Sequence, residues 1–103
     1  MKTSQVTRFD RDINFASEFL SLLGEPNRLR VFAILRYGEF TVTEIFKCLD
    51  LKQNLISHHL RVLKEGGIAK NKRKGRKIYY SLDPSYLALF NSVIEKLSIY
   101  KGK

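Results

Sequence analysis

Polar side chains recur along residues 51–67 (LKQNLISHHLRVLKEGG) at a spacing that suits contact with a nucleic acid. If the segment is a helix, Ile56, Leu60 and Leu63 form a narrow apolar stripe, and His59 lies on the same side. The other face carries cations, amides, a hydroxyl and an imidazole: Lys52, Gln53, Asn54, Ser57, His58, Arg61 and Lys64. None of these groups is acidic, and a single α-helix fits the major groove of DNA. A solvated amphipathic helix has the same pattern, so the rest of the chain must decide between the two interpretations.

The first turn of this helix carries the amides Gln53 and Asn54. In helix-turn-helix proteins the N-terminal residues of the recognition helix reach the base edges, and amides pair bidentately with adenine. Arg61 suits guanine or a phosphate, and His58 lies on the same face. We therefore predict base contacts from at least two residues of the group formed by these four and Ser57. The predicted DNA-binding residues of this helix are Lys52, Gln53, Asn54, Ser57, His58 and Arg61.

A second group of cations lies in residues 70–77 (KNKRKGRK), where six of eight residues are basic. The whole chain has 19 Lys and Arg against 10 Asp and Glu, a formal net charge of +9, which indicates a polyanionic partner. Because clustered like charges repel one another without an anion, we favour DNA contact over a merely solvated segment. We expect contacts with phosphates or the minor groove rather than sequence reading in the major groove. The cations are Lys70, Lys72, Arg73, Lys74, Arg76 and Lys77.

Composition limits the other classes of function. A chain of 103 residues with 44% hydrophobic residues allows one folded domain with a modest core. No apolar run approaches the ~20 residues that span a membrane. The N-terminal residues lack the apolar core of a signal peptide, so we expect a cytoplasmic protein with no membrane partner. We find no nucleophile–base set, no phosphate-binding glycine loop and no metal constellation, so we predict neither an enzyme nor a cofactor.

Cys48 is the only cysteine, which excludes an internal disulfide and a multi-cysteine zinc site within one chain. We interpret it as a small, largely buried residue rather than a sensor, and a disulfide or a shared metal across a dimer stays open. His58 and His59 lie ~100° apart on a helix and do not easily face one ion. We therefore interpret His59 as a packed, hydrogen-bonded residue rather than a ligand.

Three further helices are predicted before the helix that carries these residues. Apolar spacing predicts the first over residues 10–23, after a polar and frayed segment at residues 1–9. The second, over residues 26–37, begins at a proline, ends at a glycine and has apolar residues on more than one side, so we expect it to be central. The third covers residues 42–49 and begins with a capping box, a threonine followed three residues later by glutamate. Its predicted inward residues are Val42, Ile45, Phe46 and Leu49.

A short connection at residues 50–51 joins the third and fourth helices, as in a helix-turn-helix. Beyond it, a period of two predicts strands over residues 68–73 and 76–82, which form a hairpin with a basic tip. Asp83 and Pro84 open a fifth helix. Its predicted apolar stripe is Leu87, Phe90, Val93, Ile94, Leu97 and Tyr100.

The predicted fold is therefore mostly α with a small β-hairpin wing. It is a winged helix-turn-helix of five helices, with the hairpin between the fourth and fifth, in a single DNA-binding domain over residues 1–103. The first and last helices each keep a broad apolar face that a monomer of this size does not cover. We therefore expect a homodimer whose interface these two helices form.

Three segments resemble the ArsR/SmtB family of bacterial and archaeal transcriptional repressors. They are LLGEPNRLRVFAIL (residues 22–35), TVTEIFKCLDLKQNLISHHLRVLKEGGIA (residues 41–69) and KGRKIYYSLD (residues 74–83). Within them, LGEPNRLR, SHHL, LKEGGI and GRKIYY follow one another in the family's order. The resemblance implies a homodimer that binds an inverted-repeat operator and represses transcription. It also implies that many relatives release DNA when a metal ion or another inducer binds.

The resemblance also indicates where metal ligands would stand. Arsenic-type members carry thiolates at the start of the third helix, where this chain has Thr41, Thr43 and Phe46. A hydroxyl is a poor substitute for a soft thiolate, and phenylalanine does not coordinate. Zinc-type members carry ligands on the last helix, where none of the residues here is a good zinc ligand: Pro84, Tyr86, Leu97 and Tyr100. We therefore predict DNA binding without either familiar metal site.

Three functions stay in competition. The first is a sequence-specific regulator of transcription, most simply a repressor, that binds double-stranded DNA as a homodimer. The second is a non-specific architectural DNA-binding protein or an RNA-binding winged helix, which also uses a basic wing. The third is a protein-interaction module built on the dimer helices.

Overall fold

The computed structural model describes residues 3–101, with side chains placed for residues 7–92 and for Glu95. Within this part of the chain, five helices and one antiparallel two-stranded sheet follow one another. The elements are α1 (Thr3–Leu23), α2 (Pro26–Leu35), α3 (Val42–Cys48), α4 (Gln53–Glu65), β1 (Ala69–Lys74), β2 (Lys77–Leu82) and α5 (Pro84–Lys101). This order confirms the predicted winged helix-turn-helix. None of the described helices is long and apolar enough to cross a membrane.

The helix α1 starts at Thr3, so the prediction of a frayed segment up to residue 9 is wrong from that residue on. The segment is polar, but between Thr3 and Leu23 it contains neither proline nor glycine, and nothing in its local chemistry ends a helix. The helix α2 begins as predicted, with Pro26 in its first turn and the Glu25 carboxylate accepting a hydrogen bond from the Arg28 N–H.

The helix α2 is the centre of the core, as predicted. Its residues Val31 and Phe32 have no exposed surface, and α2 packs against α1, α4 and β2. The other buried apolar residues come from α2 itself, from α1, α3 and α4, and from the hairpin with the residue before it: Phe19, Leu23, Leu35, Ile45, Ile56, Leu60, Leu63, Ile68, Ala69 and Leu82. The recognition-helix candidate α4 is therefore anchored by the same core that holds α2 in place.

The helix α3 begins with the predicted capping box. The Thr41 hydroxyl accepts a hydrogen bond from the Glu44 N–H at 3.1 Å, and the Glu44 carboxylate accepts one from the Thr41 N–H at 2.8 Å. The helix ends at Cys48, so residues 49–52 form a longer turn into α4 than predicted. Phe46 is 41% exposed, contrary to the prediction that it points inward.

The wing is a hairpin with a two-residue turn, Gly75 and Arg76, between the paired residues Lys74 and Lys77. Gly75 has φ 64°, a conformation that glycine adopts readily. The chain before α3 adds a third short segment, because Phe40 and Tyr80 exchange backbone hydrogen bonds of 3.0 and 2.8 Å. The sequence did not predict this pairing.

The helix α5 docks on the core through two aromatic residues. The Tyr86 ring stacks on the rings of Phe15 and Phe19, with centroids 5.8 and 5.4 Å away, and Phe90 meets Phe32 at 4.7 Å. The rest of the predicted apolar stripe lies outside the residues whose side chains are described: Val93, Ile94, Leu97 and Tyr100. Several large apolar side chains of α1 and α5 stay exposed: Phe9, Ile13, Phe15, Leu20 and Leu89.

Candidate nucleic-acid interface

The polar face of α4 is exposed because the opposite face packs against the core. Ile56, Leu60 and Leu63 have no exposed surface, and α4 packs against α2, α3 and β1. The helix period therefore turns Ser57, His58 and Arg61 outward, whereas His59 stays on the inner side. The structure places all six predicted recognition residues on the exposed side: Lys52, Gln53, Asn54, Ser57, His58 and Arg61. Their contact with DNA stays a prediction.

Two of these side chains are bonded to each other. The Arg61 guanidinium lies with Nη2 3.1 Å from Nδ1 of His58. A guanidinium only donates, so His58 Nδ1 accepts, and a neutral imidazole then carries its proton on Nε2. The contact holds two long side chains in one place and leaves the remaining N–H groups of Arg61 and the Nε2–H of His58 as donors.

His59 lies on the inner side of α4 and is 4% exposed. Its Nε2 is 3.4 Å from Oε2 of Glu25, but neither ring nitrogen has a hydrogen-bond partner among the described residues. The packed position confirms one half of the interpretation from sequence, whereas the expected hydrogen bond is absent from the described part of the chain. Burial lowers the pKa of His59, and the nearby Glu25 carboxylate offsets this only in part.

The six wing cations do not share one face. Side chains alternate along a strand, and the pairing of Ala69 with Leu82 marks the face that turns toward the core. Arg73 lies on the same face as Ala69, and Arg76 lies in the turn. The remaining four occupy the opposite face, here called the outer wing face: Lys70, Lys72, Lys74 and Lys77. All six are exposed, as predicted.

Lys74 already has a partner. Its Nζ is 3.0 Å from Oε2 and 3.2 Å from Oε1 of Glu39, and it lies 5.2 Å from the centroid of the Tyr79 ring. Sequence reasoning missed Glu39, because the acid lies 35 positions away in the α2–α3 loop. Only the pairing of Phe40 with Tyr80 brings this loop beside the wing.

A groove of about 520 Å³ lies between the start of α3 and the tip of the wing. Lys47 of α3 lines it together with Arg76 and Lys77. Sequence reasoning also missed Lys47, which carries no motif and joins the wing cations only through the fold. Glu44 lines the same groove, and the backbone N–H of Thr41 lowers the pKa of its carboxyl. The groove is therefore basic on the wing side and holds one carboxylate that is used as a helix cap.

Cys48 is exposed, which corrects the interpretation that it is largely buried. It is the last residue of a seven-residue helix, where the chain leaves the core for the turn into α4. Of the residues at the arsenic-type positions, Thr41 caps α3, and Thr43 and Phe46 are exposed. Among the described residues, no three His, Cys, Asp or Glu side chains are grouped to hold a metal ion. Of the positions compared with zinc-type ligands, Leu97 and Tyr100 lie outside the described side chains.

Known proteins are similar to this chain in sequence and in fold. A family model described as a helix-turn-helix domain matches residues 23–70. The transcriptional repressor SmtB homolog of Synechocystis sp. is 34% identical over 82 residues, which cover 79% of this chain and 62% of that protein. The transcriptional repressor SdpR of Bacillus subtilis is 34% identical over 65 residues, which cover 63% of this chain and 72% of that protein.

A crystal structure of a possible transcriptional regulator for arsenical resistance superposes with a TM-score of 0.65 at 34% identity. The superposition covers 79% of this chain and 84% of that chain. The chain thus spans less than two thirds of the Synechocystis protein, but more than two thirds of SdpR and of the crystallised regulator.

Proposed function

Because this chain belongs to the ArsR/SmtB family of winged helix-turn-helix transcriptional regulators, we propose that it binds an inverted-repeat operator as a homodimer and represses transcription. Members of this family are DNA-binding regulators rather than enzymes, in agreement with the prediction from sequence. The observation that carries the proposal is the outward polar face of α4, which a fully buried apolar stripe holds in position.

In this proposal α4 lies in the major groove with its N-terminus at the base edges. The amides of Gln53 and Asn54 are exposed in the first turn of α4, whose N-cap residue Lys52 makes no side-chain cap hydrogen bond. Amides in this position suit adenine. His58 and Arg61 follow further along the helix, and their contact of 3.1 Å places both side chains side by side on the exposed face.

The phosphate backbone is the proposed partner of the wing. The cations outside the Glu39 ion pair are exposed and surround the wing tip on both faces: Lys70, Lys72, Arg73, Arg76 and Lys77. Lys47 adds a cation from α3 on the far side of the groove, so one strand of backbone would meet charge from two elements. Such contacts fix the register of a protein on DNA and carry no sequence information themselves.

The proposed dimer interface lies on α1 and α5. Phe9, Ile13 and Leu20 lie on one side of α1 at helical spacing and are 56%, 51% and 60% exposed. Apolar side chains aligned in this way indicate a surface that a second molecule covers. A two-fold dimer would present two copies of α4, which is why the proposed operator is an inverted repeat.

Selection of bound duplexes from a random pool tests the function. We expect the selected sequences to share a palindrome with half-sites about one helical turn apart. The selected duplex should then compete for the protein far better than a random duplex at the same salt concentration. Equal competition at fixed salt would instead favour a non-specific architectural protein and overturn the proposal. Repeating the competition with double-stranded RNA tests the RNA-binding alternative directly.

A further inference from the structure

Glu39 places a carboxylate beside the basic wing. It lines a depression of about 430 Å³ together with Lys70, Lys72 and Ser81 of the hairpin. Its own ion pair is with Lys74, at 3.0 and 3.2 Å from the two carboxylate oxygens. One acid therefore faces three of the four lysines of the outer wing face.

The position of Glu39 is set by the backbone. The two hydrogen bonds between Phe40 and Tyr80 pair the chain before α3 with β2 in an antiparallel register. Continuing that register places Glu39 opposite Ser81, on the same face as the outer lysines. Lys74 also makes a cation–π contact with the Tyr79 ring on the same face. Backbone pairing with β2 therefore fixes the position of Glu39 beside the wing.

A carboxylate in this place competes with DNA phosphates for the same cation. We propose that Glu39 limits the affinity of the wing for DNA of any sequence, by holding Lys74 away from the phosphate backbone. The inference rests on the proposed DNA binding. It also separates Lys74 from the other wing cations: Lys74 closes the ion pair, whereas Arg76 and Lys77 meet the backbone. The consequence is a protein that relies more on the base contacts of α4.

The test is the substitution Glu39→Gln, which keeps the side-chain shape and removes the charge. Binding to a random duplex is measured over a series of salt concentrations. Release of Lys74 should raise the affinity roughly three- to tenfold and steepen the dependence of log K on log salt by about 0.9, the value for one added phosphate contact. An unchanged salt dependence, or weaker binding by the variant, would overturn the inference. Weaker binding would mean that Glu39 only positions the wing.

Two matched variants isolate the cause. Glu65→Gln changes the net charge by the same amount at the exposed end of α4, away from the Glu39–Lys74 pair. If it has an equal effect, the gain comes from total charge and the inference is wrong. In a Lys74→Gln background, Glu39→Gln should lose most of its effect, and a full effect there would also contradict the inference. All these variants are measured with a random duplex, so their results do not depend on whether the wild-type protein prefers an operator. The selection experiment tests that preference separately.

Discussion

At the scale of single residues, His59 shows how the recognition helix is tied to the rest of the fold. Its imidazole is buried without a hydrogen-bond partner among the described residues, an arrangement that ordinarily costs ~1–3 kcal/mol. The nearest charged group is the carboxylate of Glu25, which also accepts the Arg28 N–H at the start of α2. His59 therefore lies between α4 and the α1–α2 corner, and its burial joins the candidate recognition helix to the start of α2.

The pH dependence of stability follows from this burial. Because the pKa of His59 is lowered from 6.5, the unfolded chain takes up a proton at a pH where the folded protein does not. The free energy of unfolding should therefore fall as the pH drops below about 6.5. Urea denaturation of the wild type at about pH 7.5 and about pH 5.5, at one protein concentration, measures this loss.

The variant His59→Leu should remove most of that loss and should be at least as stable as the wild type at neutral pH. The matched control is His58→Leu, which removes an exposed imidazole that is the smallest of the causes lowering the pKa of His59, so most of the pH dependence should stay. If His59→Leu keeps the full loss of stability, the titrating group is elsewhere and the assignment to His59 is wrong.

At the scale of elements, local chemistry predicted the starts of α2 and α3 but not the exposure of Phe46. The capping box at Thr41 and the proline start of α2 were confirmed, because each depends on side chains within a few residues. The prediction that Phe46 points inward was wrong. It lies near the end of a seven-residue helix, where burial of a side chain depends on which other segments of the chain pack beside it. The pairing of Phe40 with Tyr80 spans 40 residues and leaves no local pattern.

The same contrast applies to the candidate site. Every predicted recognition residue of α4 is exposed, because the apolar stripe that faces the core fixes the opposite face. The wing cations were identified by composition, but their division between two faces depends on the register of the hairpin. Glu39 and Lys47 were missed because only the tertiary fold brings them beside the wing.

DNA binding should change in different ways when α4 and the wing, the two elements proposed to contact DNA, each lose one side chain. Gln53→Ala on α4 should cost about 1–3 kcal/mol of discrimination at one base pair, because a bidentate amide contact is lost. Arg76→Ala in the wing should weaken binding to all sequences and reduce the salt slope by about one, because a phosphate contact is lost. Fluorescence anisotropy with the operator, single-base variants and a random duplex at several salt concentrations separates the two. Identical profiles for both variants would contradict the proposed division between α4 and the wing.

At the scale of the whole molecule, the proposed operator recognition depends on a surface other than the one proposed to contact DNA. In the proposed complex one copy of α4 contacts one half-site, and a two-fold dimer places the second copy at the other half-site. The half-exposed residues Phe9, Ile13 and Leu20 supply apolar area for such an interface, each at about half of the roughly 1.5–3 kcal/mol that burial of a fully exposed side chain contributes. The strength of DNA binding should therefore depend on an interaction between helices that never touch DNA.

The substitution Leu20→Asp tests this dependence, because it buries a charge if the proposed interface forms. Leu20 is 60% exposed in the monomer, so the variant should keep the helical circular dichroism of the wild type. Sedimentation equilibrium should show a dimer for the wild type and a monomer for the variant, and affinity of the variant for the selected palindrome should fall toward that for a single half-site. Tyr37→Asp is the matched control, since it adds the same charge at a 79% exposed site beyond the end of α2 and should leave the dimer intact. A Leu20→Asp protein that stays dimeric would place the interface elsewhere, and a monomeric variant with undiminished affinity for the palindrome would rule out the need for a dimer.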